Sequence, residues 1–245
     1  NTGCVPSKAL LAAGHAAEAV RHAPGFGVSS SEPVIDAAAV YGHVRATIDG
    51  IAPTDSVERF EGLGVKVIEA AGAFTGPKEV TAGGTTIRAR RFVVATGSRA
   101  FVPPIPGIND VPYLTNETIF DGPDLPEHLL VIGGGPIGIE LAQAHRHLGA
   151  KVTVLEMAGI LPNDDPELVD VVRGRLLDDG IDVREGVTVT GVEKSDNGVT
   201  VVIQDGEVTR RIDGSHLLVA AGRAANVDGL GLDLAGIDHS PRGIA

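Results

Sequence analysis

The run Leu129-Leu130-Val131-Ile132-Gly133-Gly134-Gly135-Pro136-Ile137-Gly138-Ile139-Glu140 constrains the fold more than any other part of the chain. Its first four apolar residues predict a buried strand, and residues 136–148 predict a helix. Between them stands a Gly-x-Gly-x-x-Gly turn at 133, 135 and 138. Lys151–Glu156 then predicts a second strand, ending in an acid 23 residues after Gly133. A strand, helix, strand order of this length requires a parallel sheet and an α/β fold. The glycines have separate physical tasks. Gly133 makes the tight turn, Gly135 lets a pyrophosphate approach the backbone, and Gly138 lets the helix pack close to the strand. The phosphates would then sit at the helix N-terminus, against Gly133, Gly134, Gly135, Pro136, Ile137 and Gly138. The alternative is a glycine-rich turn without a ligand.

Glu156 bears on which dinucleotide fits. Its carboxylate can accept hydrogen bonds from the ribose hydroxyls of NAD and would repel the 2′-phosphate of NADP. No Arg or Lys follows it before Arg173, so NADH is favoured over NADPH. An ordinary exposed acid at a strand end is the other reading of Glu156.

The remaining chain is read in the same way. Ala9–Val20 predicts a helix ending before Pro24-Gly25, and residues 36–63 predict helix with a break at Pro53. Val65–Glu69 alternates as a strand would. Short strands are expected near Ala73, over Glu79–Ala82 and over Thr85–Arg88, and Arg91–Ala95 reads as a buried strand. Phe101-Val102-Pro103-Pro104-Ile105-Pro106-Gly107 reads as a stiff connector. A helix over 166–179 follows, then strands near 182–184, 187–193, 198–204, 207–211 and 217–221. Asp164-Asp165 and Glu167 suit a helix cap better than a cation site.

Composition excludes several classes. With 245 residues, 43% of them hydrophobic, the chain can bury a substantial core. A net charge of −12, no Trp and no basic patch argue against nucleic acid as a partner. The apolar stretch Leu129–Ala144 is interrupted by glycines, Pro136 and Glu140, so no membrane span is expected. The shorter run Lys8–Ala17 is broken by Gly14 and His15 and does not read as a signal peptide. No metal site is expected: His145 and His147 in His145-Arg146-His147 point to different sides of a helix, and His15 and His22 suit packed or solvated roles.

The chain's only cysteine lies in Asn1-Thr2-Gly3-Cys4-Val5-Pro6-Ser7-Lys8. Proline favours the first helical turn, which puts Cys4 at or just before a helix N-terminus, where a thiolate is stabilised. Lys8 follows one turn on and adds positive charge on the same side. A reactive sulfur and a buried structural cysteine are both consistent with this stretch. A single cysteine also fits a reducing, cytoplasmic setting.

This octapeptide resembles the second half of the redox element Cys-x-x-x-x-Cys-x-Pro-x-Lys of the class I pyridine nucleotide-disulfide oxidoreductases. That family includes enzymes like mercuric reductase and dihydrolipoamide dehydrogenase. The fingerprint at 133–156 resembles that of the family's second dinucleotide domain. Ala95-Thr96-Gly97-Ser98, Gly72 before Phe74, and Ala220-Ala221-Gly222-Arg223 resemble its flavin-contacting and domain-crossing segments. The resemblance implies two linked Rossmann-like nucleotide-binding domains, with the FAD domain incomplete. Residues 1–118 would be part of the FAD-binding domain, 119–222 the NAD-binding domain, and 223–245 the start of the return. It implies FAD and NAD as cofactors and hydride transfer from NADH through the flavin to a disulfide. Cys4 would be the flavin-side sulfur, and Lys8 would pair with Glu140 beside the flavin. Thr96, Gly97 and Ser98 would lie on a segment that returns past the flavin, and Gly72 would approach the flavin's adenine. Gly222 would be a cofactor-binding residue on the segment that re-enters the flavin domain, and Val189 would contact the NAD adenine. Pro136 stands where many relatives carry a residue that gates the nicotinamide pocket. The final acceptor would be a disulfide, a metal ion or a similar small molecule, and the full-length protein would be a homodimer. The chain reads as an internal fragment, inactive alone. Its rivals are a flavoprotein reductase without disulfide chemistry and a non-catalytic nucleotide-binding or redox-sensing module.

Overall fold

A computed structural model describes residues 3–245. Asn1 and Thr2, which open the cysteine motif, lie outside the described residues. In chain order the helices are α1 (Cys4–His22), α2 (Ala37–Ile51), α3 (Val57–Gly62), α4 (Pro136–His147) and α5 (Pro166–Asp178). The strands are β1 (Gly72–Gly76), β2 (Glu79–Ala82), β3 (Thr85–Arg88), β4 (Ser98–Ala100), β5 (His128–Ile132), β6 (Lys151–Glu156) and β7 (Asp182–Glu185). They continue as β8 (Val187–Ser195), β9 (Gly198–Asp205), β10 (Val208–Gly214), β11 (His216–Val219), β12 (Arg223–Ala225), β13 (His239–Ser240) and β14 (Gly243–Ile244). The fold is mixed α/β with a parallel sheet, as the sequence implied.

The chain divides into two compact units. The first comprises Asn1–Gly50 and Ala100–Gly222. At its centre is the four-stranded parallel sheet β11-β5-β6-β7, with Leu217 opposite Leu130 and Leu129 opposite Val152. Successive side chains of a strand face opposite ways, and here both faces are covered. Leu129, Val131, Val152 and Val154 pack with Leu10, Leu141, Ala144 and Leu176 of the helices. Leu130, Ile132 and Leu155 pack instead with Val199, Val201 and Ile203 of the antiparallel sheet β10-β9-β8. The continuous apolar run at 129–132 follows from this double burial. Helix α1 lies across α4 at Gly14, where a Cβ would come within 3.2 Å of the His147 Cβ.

The second unit comprises Ile51–Arg99 and Arg223–Ala245. Phe74, Val227 and Leu232 form its small core, and Phe74 meets Phe92 edge-to-face at 5.3 Å. The antiparallel order β1-β2-β3 matches the three short strands expected there.

Two strand expectations fail. Val65–Glu69 is irregular, and so is Arg91–Ala95, which is not buried either. Phe92 and Val94 pack against the Phe74 core, while Val93 is 92% exposed. The segment keeps a strand's alternation, but none of the described strands pairs with it, and a strand exists only through its ladder. The break in 36–63 is as expected, with a 3₁₀ turn over Ala52–Asp55 separating α2 from α3. Asp165 caps α5, accepting from the Glu167 N–H at 3.0 Å.

His145 is fully buried in α4, with Nδ1 2.8 Å from the Leu141 carbonyl oxygen. Burial pushes its pKa from 6.5 down to about 4, against the support of that hydrogen bond and with a small push from His216. The unfolded chain therefore binds a proton that the folded chain refuses. Stability should fall as pH drops from 6.5 towards about 4, by on the order of 3 kcal/mol from this group. Denaturant unfolding across that window should show the loss in the native protein, and His145→Leu should remove this component of the slope.

Candidate functional site

The turn between β5 and α4 is shaped by contacts that only glycine permits. Gly133 has φ +111°, and a Cβ there would fall 2.4 Å from the Ala220 carbonyl oxygen. At Gly138 a Cβ would fall 2.1 Å from the Gly133 carbonyl oxygen, so the first turn of α4 lies directly on the end of β5. Gly135 is different, since nothing lies within 4 Å of where its Cβ would be. It is the N-cap of α4, no side chain caps the helix, and Pro136 occupies the first turn. The uncapped N–H groups of this first turn, Ile137 and Gly138 among them, suit an anion that approaches past Gly135.

Glu156 ends β6 beside this turn. Its Oε2 accepts the Gly134 N–H at 2.7 Å and its Oε1 accepts the Ala158 N–H at 2.9 Å. The carboxylate is thereby fixed, with further lone pairs for a ribose diol. Arg173, the first cation after Glu156 in sequence, is committed elsewhere. Its guanidinium donates to Glu185 from Nε at 2.8 Å and from Nη2 at 3.0 Å, and it also holds Asp170. The hydrogen bonds of Arg173, opposed by burial and helped by the Ile160 N–H, keep the Glu185 carboxyl below its ordinary pKa.

Cys4 is the first residue of α1 and is exposed. One turn on, Lys8 Nζ lies 2.8 Å from Glu140 Oε1, so the expected approach of these two side chains is present. Lys8 is 64% exposed, and such a pair contributes only about 0–1 kcal/mol to stability. Its significance lies in position: it joins the helix that begins at Cys4 to the helix that begins at the glycine turn.

The other candidate residues fall in separate places. Gly72 opens β1, and Thr96, Gly97 and Ser98 lie with it in the second unit. There the Thr96 hydroxyl donates to the Asn226 carbonyl at 2.7 Å, and the Asn226 side chain donates back to the Thr96 carbonyl at 2.9 Å. Arg223 Nε donates to the Ser98 hydroxyl at 2.7 Å. Gly97 has φ +67° and an open Cα face. Gly222, in the first unit, accepts the Phe101 N–H at 3.0 Å. Val189 lies on β8, half-buried against the Val192 and Ile203 core.

His145 and His147 do point apart. The first is enclosed within α4's packing, and His147 Nε2 meets Asp179 Oδ2 at 3.0 Å. Sequence reasoning missed that Glu18 and Asp179 gather around His147, because three side chains from distant helices carry no spacing signal. It also missed the lock between Glu156 and the Gly134 N–H.

All of residues 1–245 match the family model described as pyridine nucleotide-disulphide oxidoreductase, and the chain belongs to that family. It is 32% identical to a mercuric reductase of Streptomyces lividans over 99% of this chain and 52% of that protein. It is 35% identical to a dihydrolipoyl dehydrogenase of Thermus scotoductus over 99% of this chain and 53% of that protein. Among solved structures, the Cu(II) complex of the HOCl-induced flavoprotein disulfide reductase RclA from Escherichia coli superposes with a TM-score of 0.83 at 25% identity, covering 100% of this chain and 52% of that one. The chain thus spans about half the length of these relatives. No helix among the described residues is long and apolar enough to cross a membrane.

The glycine geometry makes a direct prediction. Gly138→Ala should destabilise the fold by about 1–3 kcal/mol or more, because the added methyl meets backbone that cannot move aside. Gly135→Ala should cost less than about 1 kcal/mol, the scale of a changed N-cap. Denaturant midpoints of the two variants check the contrast.

Proposed function

We propose that the chain is the cysteine- and nucleotide-bearing part of an FAD- and NADH-dependent oxidoreductase. Electrons pass from NADH through the flavin to a redox-active disulfide whose flavin-side sulfur is Cys4, and on to a disulfide, metal ion or similar small acceptor. The observation that carries this reading is the 2.8 Å ion pair between Lys8 and Glu140. Membership of the family supports the reaction class.

Residues 133–138 and Glu156 hold the nicotinamide dinucleotide. The open face of Gly135 and the uncapped end of α4 fit its pyrophosphate, and the fixed carboxylate of Glu156 fits its adenosine ribose. Gly72, Thr96, Gly97 and Ser98, all in the second unit, are assigned to FAD, and the open Cα face of Gly97 leaves room for a close ligand. When bound, FAD supplies two-electron chemistry between a nicotinamide and a thiol pair. Glu140 orients the Lys8 ammonium, which stands one helical turn after Cys4 on α1.

Glu156 and the commitment of Arg173 to Glu185 and Asp170 support NADH over NADPH. A hydrogen bond to a charged group contributes on the order of 1.5–3 kcal/mol, enough for at least a tenfold preference. Cofactor fluorescence titration should find NADH the tighter ligand, and equal or reversed affinities would refute the assignment. In the flavin-loaded protein, NADH titration should raise a long-wavelength thiolate-to-flavin absorbance band that Cys4→Ser abolishes. A band surviving that substitution would make Cys4 structural and the disulfide route wrong.

A further inference from the structure

Outside the nucleotide site, the first unit holds a cavity of about 460 Å³ whose walls include Glu18, Arg21, His22, His147, Arg175 and Asp179. Three of these offer ligand atoms that all lie within 4.8 Å of one another: Glu18 from α1, His147 at the end of α4, and Asp179 just past α5. We propose that Glu18, His147 and Asp179 form a binding site for a divalent transition metal of the zinc class. The inference is independent of the redox assignment and shares no residue with it.

The chemistry of the donor set fits. One neutral imidazole and two carboxylates balance a divalent ion, and mixed nitrogen and oxygen ligation suits zinc. The His147 and Asp179 side chains are only 6% and 5% exposed, so the donors are held rather than solvated. His147 Nε2 stands 3.0 Å from Asp179 Oδ2. Donors around tetrahedral zinc are about 3.3 Å apart, so side-chain adjustments of about 1 Å close the site. His147 Nδ1 is buried and has no hydrogen-bond partner among the described residues, so the ring's polar engagement is through Nε2 alone. A metal at Nε2 would leave the proton on Nδ1.

The supporting groups are arranged around the donors. Arg21 Nη1 donates to Glu18 Oε1 at 2.6 Å, which leaves Oε2 towards the cavity. Gln143 Nε2 donates to Asp179 Oδ2 at 2.9 Å, an outer hydrogen bond of the kind that orients a ligating carboxylate. His22 Nε2, 3.1 Å from Glu18 Oε2, is within reach of a fourth position. Arg175 bridges the two acids, with Nη2 2.8 Å from Asp179 Oδ1 and 3.5 Å from Glu18 Oε2. Its guanidinium occupies the place of the cation and is half-exposed, so metal entry requires it to leave Asp179 for solvent.

The test is titration of the thiol-alkylated protein with Zn²⁺ alone against a chromophoric chelator, and with Co²⁺ followed by its tetrahedral d–d absorption. One equivalent should bind. His147→Gln and Asp179→Asn should each weaken binding at least about tenfold, since even outer-sphere losses at metal sites reach that scale. Arg175→Ala should tighten binding by removing the competing cation, a gain that misfolding cannot imitate. Absence of a stoichiometric site, binding untouched by His147→Gln and Asp179→Asn, or weaker binding in Arg175→Ala would each overturn the proposal and leave the cluster a purely structural ion-pair network.

Discussion

The contact on which the first unit depends is the approach of α4 to the end of β5, where the backbone of Gly138 lies against the Gly133 carbonyl. A side chain at Gly138 would force the helix away from the strand, and one at Gly133 would strike the Ala220 backbone that follows β11. Helix α4 then places several polar groups of this unit. Its N-terminus, uncapped by any side chain, opens at the glycine turn, its second turn carries Glu140 towards Lys8, and its last residue is His147. Helix α1 reaches the same helix because Gly14 removes the side chain that would otherwise hold them apart. Glycines at 14, 133 and 138 therefore perform one task, bringing backbones close enough for polar groups at fixed positions to meet.

That logic explains why Glu140 tolerates an apolar helix. An unpaired carboxylate against the packed face of α4 would be costly, and the Lys8 ammonium provides its countercharge. The pair is too exposed to hold the structure together, so its free-energy contribution is small while its geometric effect is not. The same separation of strength from position applies at Glu156. Two backbone N–H groups fix its carboxylate without neutralising it, which leaves a charged, oriented acceptor at the end of β6.

The parts of this molecule that were legible in the sequence are those whose cause is local. Residues 129–156 declare a strand, a glycine turn, a helix and a second strand because each element's partner lies within about 30 residues. Pro53 marks its own break, and Asp165 its own cap. Arg91–Ala95 was misread because alternation and β-branching specify a conformation, whereas a strand also needs a neighbour to bond. Val65–Glu69 failed for the same reason. Lys8 and Glu140 could be paired only through resemblance to a family, since no rule of spacing links residues so far apart.

The Glu18, His147 and Asp179 cluster shows the limit most clearly. Reading His145-Arg146-His147 as a unit asks whether two neighbours on one helix can share a ligand, and the helical period answers that they cannot. The structure poses a different question, because His147 stands at the end of α4 where α1 crosses and where the chain leaves α5. Helix termini are where backbone groups lack partners and charged side chains collect. Three such elements converging on one buried imidazole concentrate ionised groups in a small volume. Arg175, half-exposed, supplies the cation of that volume, 2.8 Å from Asp179 and 3.5 Å from Glu18, so a metal there would have to displace it.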